Sequence, residues 1–418
     1  MSASIAETAR SAQRRILAVL VAAQILSGAG LAAGVTVGAL LAQDMLGATG
    51  LAGLPSALFT IGSAAAAVVI GRASQRGGRR PGLAGGYTTG ALGALGVVTA
   101  AVTDNAMLLF ASLFVYGAGT ATNLQARYAG ADLAAPRRRG QAVSTVLVAT
   151  TLGAVAGPNL VTLTGTLAEA WGIPPLAGPF ILAAVAYAAA AAVLWLLLRP
   201  DPLNSARALA DDQETPAAPE GPAQAGSSGG PRYLLTGAAV MVTAQIVMVA
   251  IMTMTPIHMA HHGHPVSATG IVIAVHIASM YLPSPIGGFL ADRFGRLRVA
   301  AASGLTLLAA GLLAAFVPPH SVALLALALG LLGLGWSFGL VAGTAIVTDA
   351  VPLATRAKTQ GLVDVAVALA GAGGGLASGL VVAAGSYTVL SIAGGVLALA
   401  VLPVVAYTAR PRRPAHTS

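Results

Sequence analysis

Two pairs of residues with soft metal-ligating side chains lie close together in this chain: Met248 with Met252, and His276 with Met280. The stretch 241–280 that contains them holds six of the nine methionines and five of the seven histidines. A spacing of four residues puts both members of a pair on the same face of a helix. Thioether sulfur combined with neutral imidazole favours Cu(I) over harder ions, and the chain has no cysteine. The pattern predicts a copper site made of these four side chains.

The composition determines which elements must position these side chains. Hydrophobic residues make up 56% of the chain and charged residues only 8%, with a mean hydropathy of +0.82. Soluble domains carry about 25% charged residues, so this chain is expected to lie in a lipid bilayer. Apolar runs of about 20 residues, each long enough to cross a bilayer as a helix, recur along the sequence. They predict twelve spans, at 16–41, 51–71, 82–102, 106–129, 142–165, 175–198, 233–257, 267–290, 299–317, 321–347, 359–384 and 386–408.

The positions of the cationic residues predict the orientation of the chain. If the amino-terminal segment with Arg10, Arg14 and Arg15 is cytoplasmic, all 22 Lys and Arg residues fall on or beside the cytoplasmic side. This is the distribution that the positive-inside rule describes. Both termini are therefore predicted to be cytoplasmic, and no cleavable signal peptide is expected. The net charge of +9 then reflects topology and the lipid bilayer, and it needs no nucleic-acid partner.

The chain carries an internal repeat with a single offset of 217 residues. Six residues recur at that offset, all of them in predicted inner loops, which indicates two parallel halves of six helices each. The segment 199–232, rich in Pro, Ala and Gly, is predicted to be the flexible cytoplasmic linker between a bundle at 1–198 and a bundle at 233–418. The matched residues are Gly71, Arg76, Gly78, Arg79, Asp132 and Arg139 in the first half and Gly288, Arg293, Gly295, Arg296, Asp349 and Arg356 in the second.

Parallel six-helix halves are the plan of the major facilitator superfamily, whose members alternate access around a site near the middle of the membrane. The segment 287–296, with Asp292 and Arg293 at its centre, resembles that family's signature loop between spans 8 and 9. The first half departs from the signature, with Gln75 where an acidic residue is expected. The resemblance implies an all-α membrane protein of twelve transmembrane helices in two pseudo-symmetric bundles. It also implies a gating role for the inner-loop residues Gly288, Asp292, Arg293, Gly295, Arg296, Asp132, Arg139, Asp349 and Arg356.

Counting residues along the predicted spans places the four candidate ligands near the middle of the membrane. Met248 and Met252 fall in span 7, and His276 and Met280 fall in span 8. Because a helix rises about 1.5 Å per residue, all four are expected roughly 9–18 Å below the outer surface, where adjacent helices would bring them together. A methionine in such a helix is usually packing filler, whereas a histidine there usually marks a function.

Further candidates lie outside this set of four. The outer loop after span 7 is predicted to collect copper, with Met254, His258, Met259, His261, His262 and His264 as its ligands. An exposed histidine run of this kind is equally consistent with an ordinary polar loop. Asp364 is the one carboxylate predicted to lie inside a span. It is interpreted either as a proton-coupling group or as the ion-pair partner of Arg356 or Lys358.

The paired motifs Met-x-x-x-Met and His-x-x-x-Met are similar to those of the CcoA-type copper importers, the CalT family of bacterial inner membranes. The run 254–259 is similar to that group as well. The resemblance implies that copper is the transported substrate, that it binds Met248, Met252, His276 and Met280, and that it supplies cbb-type cytochrome oxidase assembly. No enzymatic activity and no resident cofactor are expected. Uptake of riboflavin or another small organic solute, proton-coupled drug efflux and a non-transporting role remain as alternatives. The protein partners are not predicted.

Overall fold

The computed structural model describes residues 2–38, 41, 44–45, 54–211, 230–318 and 320–410, and every regular element among them is a helix. This outcome follows from the composition. A backbone in hydrocarbon has no water to bond its N–H and C=O groups, and a helix satisfies those groups within a single segment. The predicted all-α fold is confirmed. The chain divides into two compact units, Met1–Gly226 with Val351–Ala372, and Ser227–Ala350 with Gly373–Ser418.

The first unit is built from the amino-terminal helices. Its elements are α1 (Ser2–Thr36), α2 (Leu54–Gly77), α3 (Arg79–Val102), α4 (Ala106–Asp132), a 3-10 turn (Pro136–Arg138), α5 (Arg139–Asn159), α6 (Val161–Ala170), α7 (Gly178–Leu197) and α8 (Pro202–Asp211). Its hydrophobic core surrounds a group of fully buried aromatic rings contributed by α3, α4 and α7: Tyr87, Tyr116, Phe180 and Tyr187.

The second unit carries the methionines and histidines of the predicted copper site. Its elements are α9 (Gly230–His261), α10 (Val266–Tyr281), α11 (Ser284–Phe294), α12 (Arg296–Phe316), α13 (Val322–Ala350), α15 (Tyr387–Ala398) and α16 (Val401–Ala409). The helix α14 (Arg356–Ala384) begins in the first unit and ends in the second. The helix α13 packs against α9, α10 and α12, and its glycines at 333, 335, 339 and 343 permit that close approach.

Eleven helical segments of the described chain are long and apolar enough to cross a membrane. Each coincides with one of the twelve predicted spans. The remaining prediction, 142–165, corresponds to α5 and the start of α6, with a break at Leu160 between them. The predicted inner loop after span 2 is much shorter than expected, since α2 continues to Gly77 and α3 begins at Arg79.

Part of the predicted flexible linker is ordered. Residues 202–211 form α8, whose amino terminus is capped by Asp201, with its Oδ1 accepting from the backbone N–H of Leu203 at 3.0 Å. The other carboxylate oxygen of Asp201 accepts from the N–H of Arg80 at 2.7 Å, which fixes α8 to the start of α3. The predicted linker therefore contains a short helix, whose amino-terminal end the cap satisfies. Residues 212–229 lie outside the described chain.

Close helix packing in the first unit depends on glycine. A Cβ atom on Gly117 of α4 would collide with the carbonyl oxygen of Phe59 and the backbone nitrogen of Ser63, both on α2. These contacts are with backbone, which cannot move aside as a flexible side chain can. On α3, by contrast, a Cβ atom on Gly85 would meet nothing within 4 Å. The two glycines therefore form a matched pair for testing the packing.

We predict that Gly117→Ala lowers the stability of the purified protein by about 1–3 kcal/mol, because overpacking forces α2 and α4 apart. Gly85→Ala should leave stability unchanged or raise it slightly, because alanine is the better helix former. Thermal unfolding in detergent measures both. Equal melting temperatures for the two variants would contradict the close approach of α2 and α4.

Candidate functional site

The predicted copper ligands are largely buried in the second unit. His276 is completely buried, Met248 and Met280 are buried, and Met252 is half-buried. The helices that carry them pack on a common neighbour. A Cβ atom on Gly333 of α13 would lie 2.5 Å from the carbonyl oxygen of His276 and 3.0 Å from the backbone nitrogen of Met280. The helix α9 also packs against α13, and it makes few contacts with α10. The convergence of the four side chains stays a prediction.

The imidazole of His276 is held in one orientation by a neighbouring helix. Its Nδ1 lies 2.8 Å from the carbonyl oxygen of Leu329 on α13, so this nitrogen carries the proton that it donates. The other ring nitrogen, Nε2, is buried and has no hydrogen-bond partner in the described chain. A carbonyl that fixes one ring nitrogen and leaves the other available is the usual support of a metal-binding histidine. His276 is therefore prepared to accept one further bond through Nε2.

The predicted outer collecting loop differs from expectation. The helix α9 continues to His261, so His258, Met259 and His261 belong to a helix rather than to a loop. Met254 and Met259 are buried. They face the packed side of α9 as apolar side chains do, and they are not exposed to collect an ion.

The histidines of this region form ring contacts with their neighbours. The ring of His258 stacks on Tyr387 at 4.3 Å between centroids and lies 4.4 Å from the ring of His262. His261 and His262 are exposed, and His264 is half-buried. Among the described residues, no group of three or more His, Cys, Asp or Glu side chains is placed to hold a metal ion. Copper collection at this end of α9 stays a prediction.

A cluster of amide and aromatic groups lies on α9, α10 and α13, the helices that carry and support the predicted copper ligands. The sequence analysis did not identify this cluster. The indole Nε1 of Trp336 on α13 donates to Oε1 of Gln245 on α9 at 2.7 Å. The ring of Tyr281, at the end of α10, meets Trp336 edge-on with 5.8 Å between centroids. Trp336 is buried, while Gln245 and Tyr281 are half-buried. Trp336 lies 55 residues from Tyr281 and 91 from Gln245 along the chain, so sequence spacing gave no signal of their contact.

The first unit contains a second set of buried polar groups that the sequence analysis missed. The phenol of Tyr87 donates to Oε1 of Gln24 at 2.6 Å, and Nε2 of Gln24 donates to the hydroxyl of Thr150 at 3.0 Å. Nδ2 of Asn123 donates to the hydroxyl of Ser27 at 3.0 Å. All five side chains are buried. Polar residues within an apolar span were the available signal, since such residues are costly in lipid unless they are paired or functional.

The repeated inner-loop residues form the same ion pair in each unit. Arg79 pairs with Asp132 through Nε at 2.7 Å, with both side chains fully buried. Arg296 pairs with Asp349, the residues 217 positions later. The preceding glycines, Gly78 and Gly295, have φ angles of +95° and +98°, which favour glycine. The internal repeat read from the sequence is thus a repeat of structure.

The other predicted gating residues lie near these pairs. Gly288 is buried in α11, Asp292 is half-buried, and Arg293 is exposed, with its guanidinium 5.8 Å from the ring centroid of Phe294. In the first unit Arg139 is half-buried, and Arg356 is buried with its Nε donating to the carbonyl of Val351 at 3.2 Å. Their gating role stays a prediction.

Gln75 forms a neutral latch at the beginning of α14. Its Oε1 accepts from the backbone N–H of Ala357 at 2.8 Å, and its Nε2 donates to the carbonyl oxygens of Leu353 at 3.1 Å and Ala354 at 2.7 Å. An acidic residue could serve the N–H group but would have no proton for the carbonyl oxygens. The amide at this position therefore holds both the helix start and the turn before it.

Asp364 pairs with a cation that the sequence analysis did not assign to it. Its Oδ1 accepts from Nη2 of Arg127 at 2.6 Å and from the phenol of Tyr128 at 3.3 Å, and all three side chains are buried. The proposed partners Arg356 and Lys358 are thus wrong, because α4 lies beside this part of α14 in the first unit. Oδ2 of Asp364 is buried without a hydrogen-bond partner among the described residues. That oxygen is where a proton would bind, and proton coupling through it stays a prediction.

Comparison with known proteins identifies the family. The family model described as Major Facilitator Superfamily matches residues 20–282 and 236–418 of the chain. The chain belongs to this superfamily. Members of the superfamily are membrane transporters rather than enzymes, and the chain is a multi-pass membrane protein.

Relatives within the superfamily cover nearly the whole chain. An uncharacterized MFS-type transporter, YdeG of Bacillus subtilis (strain 168), is 56% identical over 402 residues, which are 96% of this chain and 94% of that protein. The riboflavin transporter RfnT of Brucella anthropi is 33% identical over 362 residues, 85% of this chain and 86% of that protein. These relatives do not support the predicted copper-importer subtype.

Solved structures of the superfamily share the fold. The human organic anion transporter MFSD10 superposes with a TM-score of 0.74 at 16% identity, covering 94% of this chain and 99% of that one. An outward-facing bacterial homologue of the iron transporter ferroportin gives a TM-score of 0.67 at 16% identity, covering 94% and 99%. At this level of identity the comparison shows the superfamily fold and leaves the substrate open.

The buried pair of Arg127 and Asp364 gives a stability prediction. Asp364→Ala should destabilise the protein by about 3–5 kcal/mol, because it leaves an uncompensated guanidinium in an apolar interior. The double variant Arg127→Met with Asp364→Leu should recover most of that loss, because it removes both charges. Thermal unfolding in detergent measures the stability of the two variants. A double variant no more stable than Asp364→Ala would contradict a direct charge pair.

Proposed function

We propose that the protein takes up a small, planar aromatic solute of the flavin class across the membrane by alternating access. The observation that carries the proposal is the cluster of Trp336, Gln245 and Tyr281 on three helices of the second unit. A cavity for a heteroaromatic solute needs aromatic faces for stacking and a few oriented hydrogen-bonding groups. The cluster supplies both.

The chemistry of the cluster suits a ring that carries carbonyl and N–H groups. Gln245 is half-buried, and its amide has two N–H donors besides the oxygen that Trp336 occupies. The indole occupies that oxygen, so the N–H donors of the amide are the groups we assign to a ligand. Tyr281 adds a half-buried ring beside it. The similarity to RfnT, a riboflavin transporter, supports the same class of solute.

The buried network of the first unit supports a polar organic substrate as well. Gln24 and Asn123 place two amides inside a transmembrane bundle, where polar groups are retained when they serve a purpose. Their hydrogen bonds with Tyr87 and Ser27 hold them in fixed orientations. We assign this network to the transport pathway. We also propose that the protein lies in the bacterial inner membrane with both termini in the cytoplasm, as the arginine distribution indicates.

The solute proposal is tested by uptake of labelled riboflavin into cells that lack their own flavin transporter and express this protein. Trp336→Phe keeps an aromatic ring but loses the N–H donor that orients Gln245. It should raise KM roughly 2- to 10-fold, the effect of one hydrogen bond. Gln245→Leu should raise it at least as much. Trp171→Phe, at a tryptophan that is 60% exposed, is the matched control and should behave as the wild type.

Two results would contradict the solute proposal. If cells expressing the protein take up riboflavin no faster than cells with an empty vector, riboflavin is not a substrate. If uptake occurs and Trp336→Phe and Gln245→Leu match the wild type, the cluster is not the binding site.

A second candidate function, copper import for cbb-type oxidase assembly, is favoured by the one buried, unpartnered nitrogen of His276. The carbonyl of Leu329 holds the imidazole in the tautomer that a metal requires. Met248 is buried on α9 and Met280 on α10, so two thioethers lie on helices that pack on the same neighbour, α13. Copper would be the transported substrate rather than a resident cofactor.

Uptake of radioactive copper tests this second candidate. His276→Ala and Met248→Ala should each abolish copper accumulation, because each removes a proposed ligand. Met107→Ala, at a methionine that is 78% exposed, is the control and should accumulate copper normally. Normal accumulation in the double variant of Met248 and His276 would rule out the copper site, whatever the result with riboflavin.

A further inference from the structure

A basic pocket of about 430 Å³ lies in the first unit, away from the groups assigned to transport. Three arginines border it: Arg10 and Arg14 from the start of α1, and Arg138 from the 3-10 turn before α5. All three are exposed at their positions. None of the described residues that line the pocket is acidic. The described lining of the pocket therefore carries three positive charges and no carboxylate.

Hydrogen bonds fix the backbone segments that carry the arginines. Arg10 and Arg14 are four residues apart on α1, so their side chains share one face of the helix. The backbone N–H of Arg138 donates to the carbonyl of Ala135 at 2.8 Å, which fixes the turn that carries it. Between the two elements, Nε2 of Gln13 donates to the carbonyl of Gly130 on α4 at 2.8 Å. The pocket is thus a feature of the packed helices.

The remaining walls of the pocket indicate the kind of ligand. Below the arginines the lining is apolar, with Leu17, Leu133 and Ala142. The membrane-spanning part of α1 begins at Arg10, so the arginines lie at the boundary between water and hydrocarbon. Cationic groups at that level over an apolar wall match a lipid, whose anionic headgroup adjoins its acyl chains. A free anion in water would gain nothing from the apolar wall.

We propose that this pocket binds the headgroup of an anionic phospholipid such as phosphatidylglycerol. The phosphate would lie among Arg10, Arg14 and Arg138, and the acyl chains would run along Leu17. The distribution of arginines places this end of the helices at the cytoplasmic leaflet, and basic pockets between helices on that side are suited to anionic headgroups. Lipid would then tie α1 to the turn before α5 within the first unit.

A pocket in the second unit provides a contrast. It measures about 510 Å³ and is lined by Arg296 and Arg298, but Asp349 lines it too and pairs with Arg296. A carboxylate in that position already neutralises part of the positive charge. The two units thus differ in their expected affinity for an anionic lipid.

Native mass spectrometry of the purified full-length protein in detergent, titrated with phosphatidylglycerol or phosphatidylcholine, tests the proposal. Phosphatidylglycerol should bind and phosphatidylcholine should bind much more weakly. The variant Arg10→Gln, Arg14→Gln, Arg138→Gln should bind phosphatidylglycerol roughly 100-fold more weakly, since each arginine near an anionic surface contributes about a factor of five. The control variant Arg15→Gln, Arg72→Gln, Arg137→Gln removes the same charge from exposed arginines that do not line the pocket. It should bind as the wild type does.

Three results would overturn the proposal. Equal loss in both triple variants would mean attraction by net charge alone. Equal binding of the two lipids would mean that the arginines do not distinguish an anionic headgroup from a zwitterionic one. Displacement of phosphatidylglycerol by millimolar inorganic phosphate would mean a site for a free anion. If the triple variant does not fold, phosphatidylglycerol binding can be compared in two single variants. Arg138→Gln removes one charge from the pocket, and Arg137→Gln removes one charge beside it.

Discussion

Polar groups within a membrane must find partners inside the protein, and the whole architecture depends on that constraint. Backbone groups meet it by forming helices, and charged side chains meet it by forming pairs. The pairs Arg79–Asp132 and Arg296–Asp349 each tie the start of one helix to the end of the next. Because the same pair forms in both units, the helix breaks at Gly78 and Gly295 are positioned alike in the two halves of the chain.

The two units differ in what surrounds this shared pair. In the first unit Arg79 also donates to Gln360, Arg127 pairs with Asp364, and the amide of Gln75 caps the start of α14. These contacts explain why residues 351–372 group with the first unit. A neutral amide at position 75 holds α14 through hydrogen bonds alone, whereas the second half keeps the acidic residue at Asp292. The duplicated sequence has thus diverged at the positions that hold helices together.

The two substrate proposals draw on the same three helices. The glycines of α13 allow α9 and α10 to pack closely against it, and this packing brings Trp336 to Gln245 and Leu329 to His276. An amide beside aromatic rings suits a planar organic solute, whereas an imidazole nitrogen without a partner suits a soft metal ion. Trp336 contacts both Gln245 and Tyr281 within the aromatic cluster, whereas the convergence of the four soft ligands stays a prediction. That difference is the reason for placing the organic solute first.

The all-helical membrane fold, the approximate spans and the internal repeat could be predicted from the amino-acid sequence alone. Composition and periodicity are local properties, and a repeat at a fixed offset needs no coordinates. The sequence also indicated a functional role for His276, because a histidine within an apolar span is unusual. The contacts between residues far apart in the sequence could not be predicted in this way. Asp364 pairs with Arg127 across 237 positions, and Trp336 reaches Gln245 across 91. Such contacts depend on how the helices pack and rotate against one another. A nearly uniform apolar sequence does not specify which face of each helix meets its neighbour.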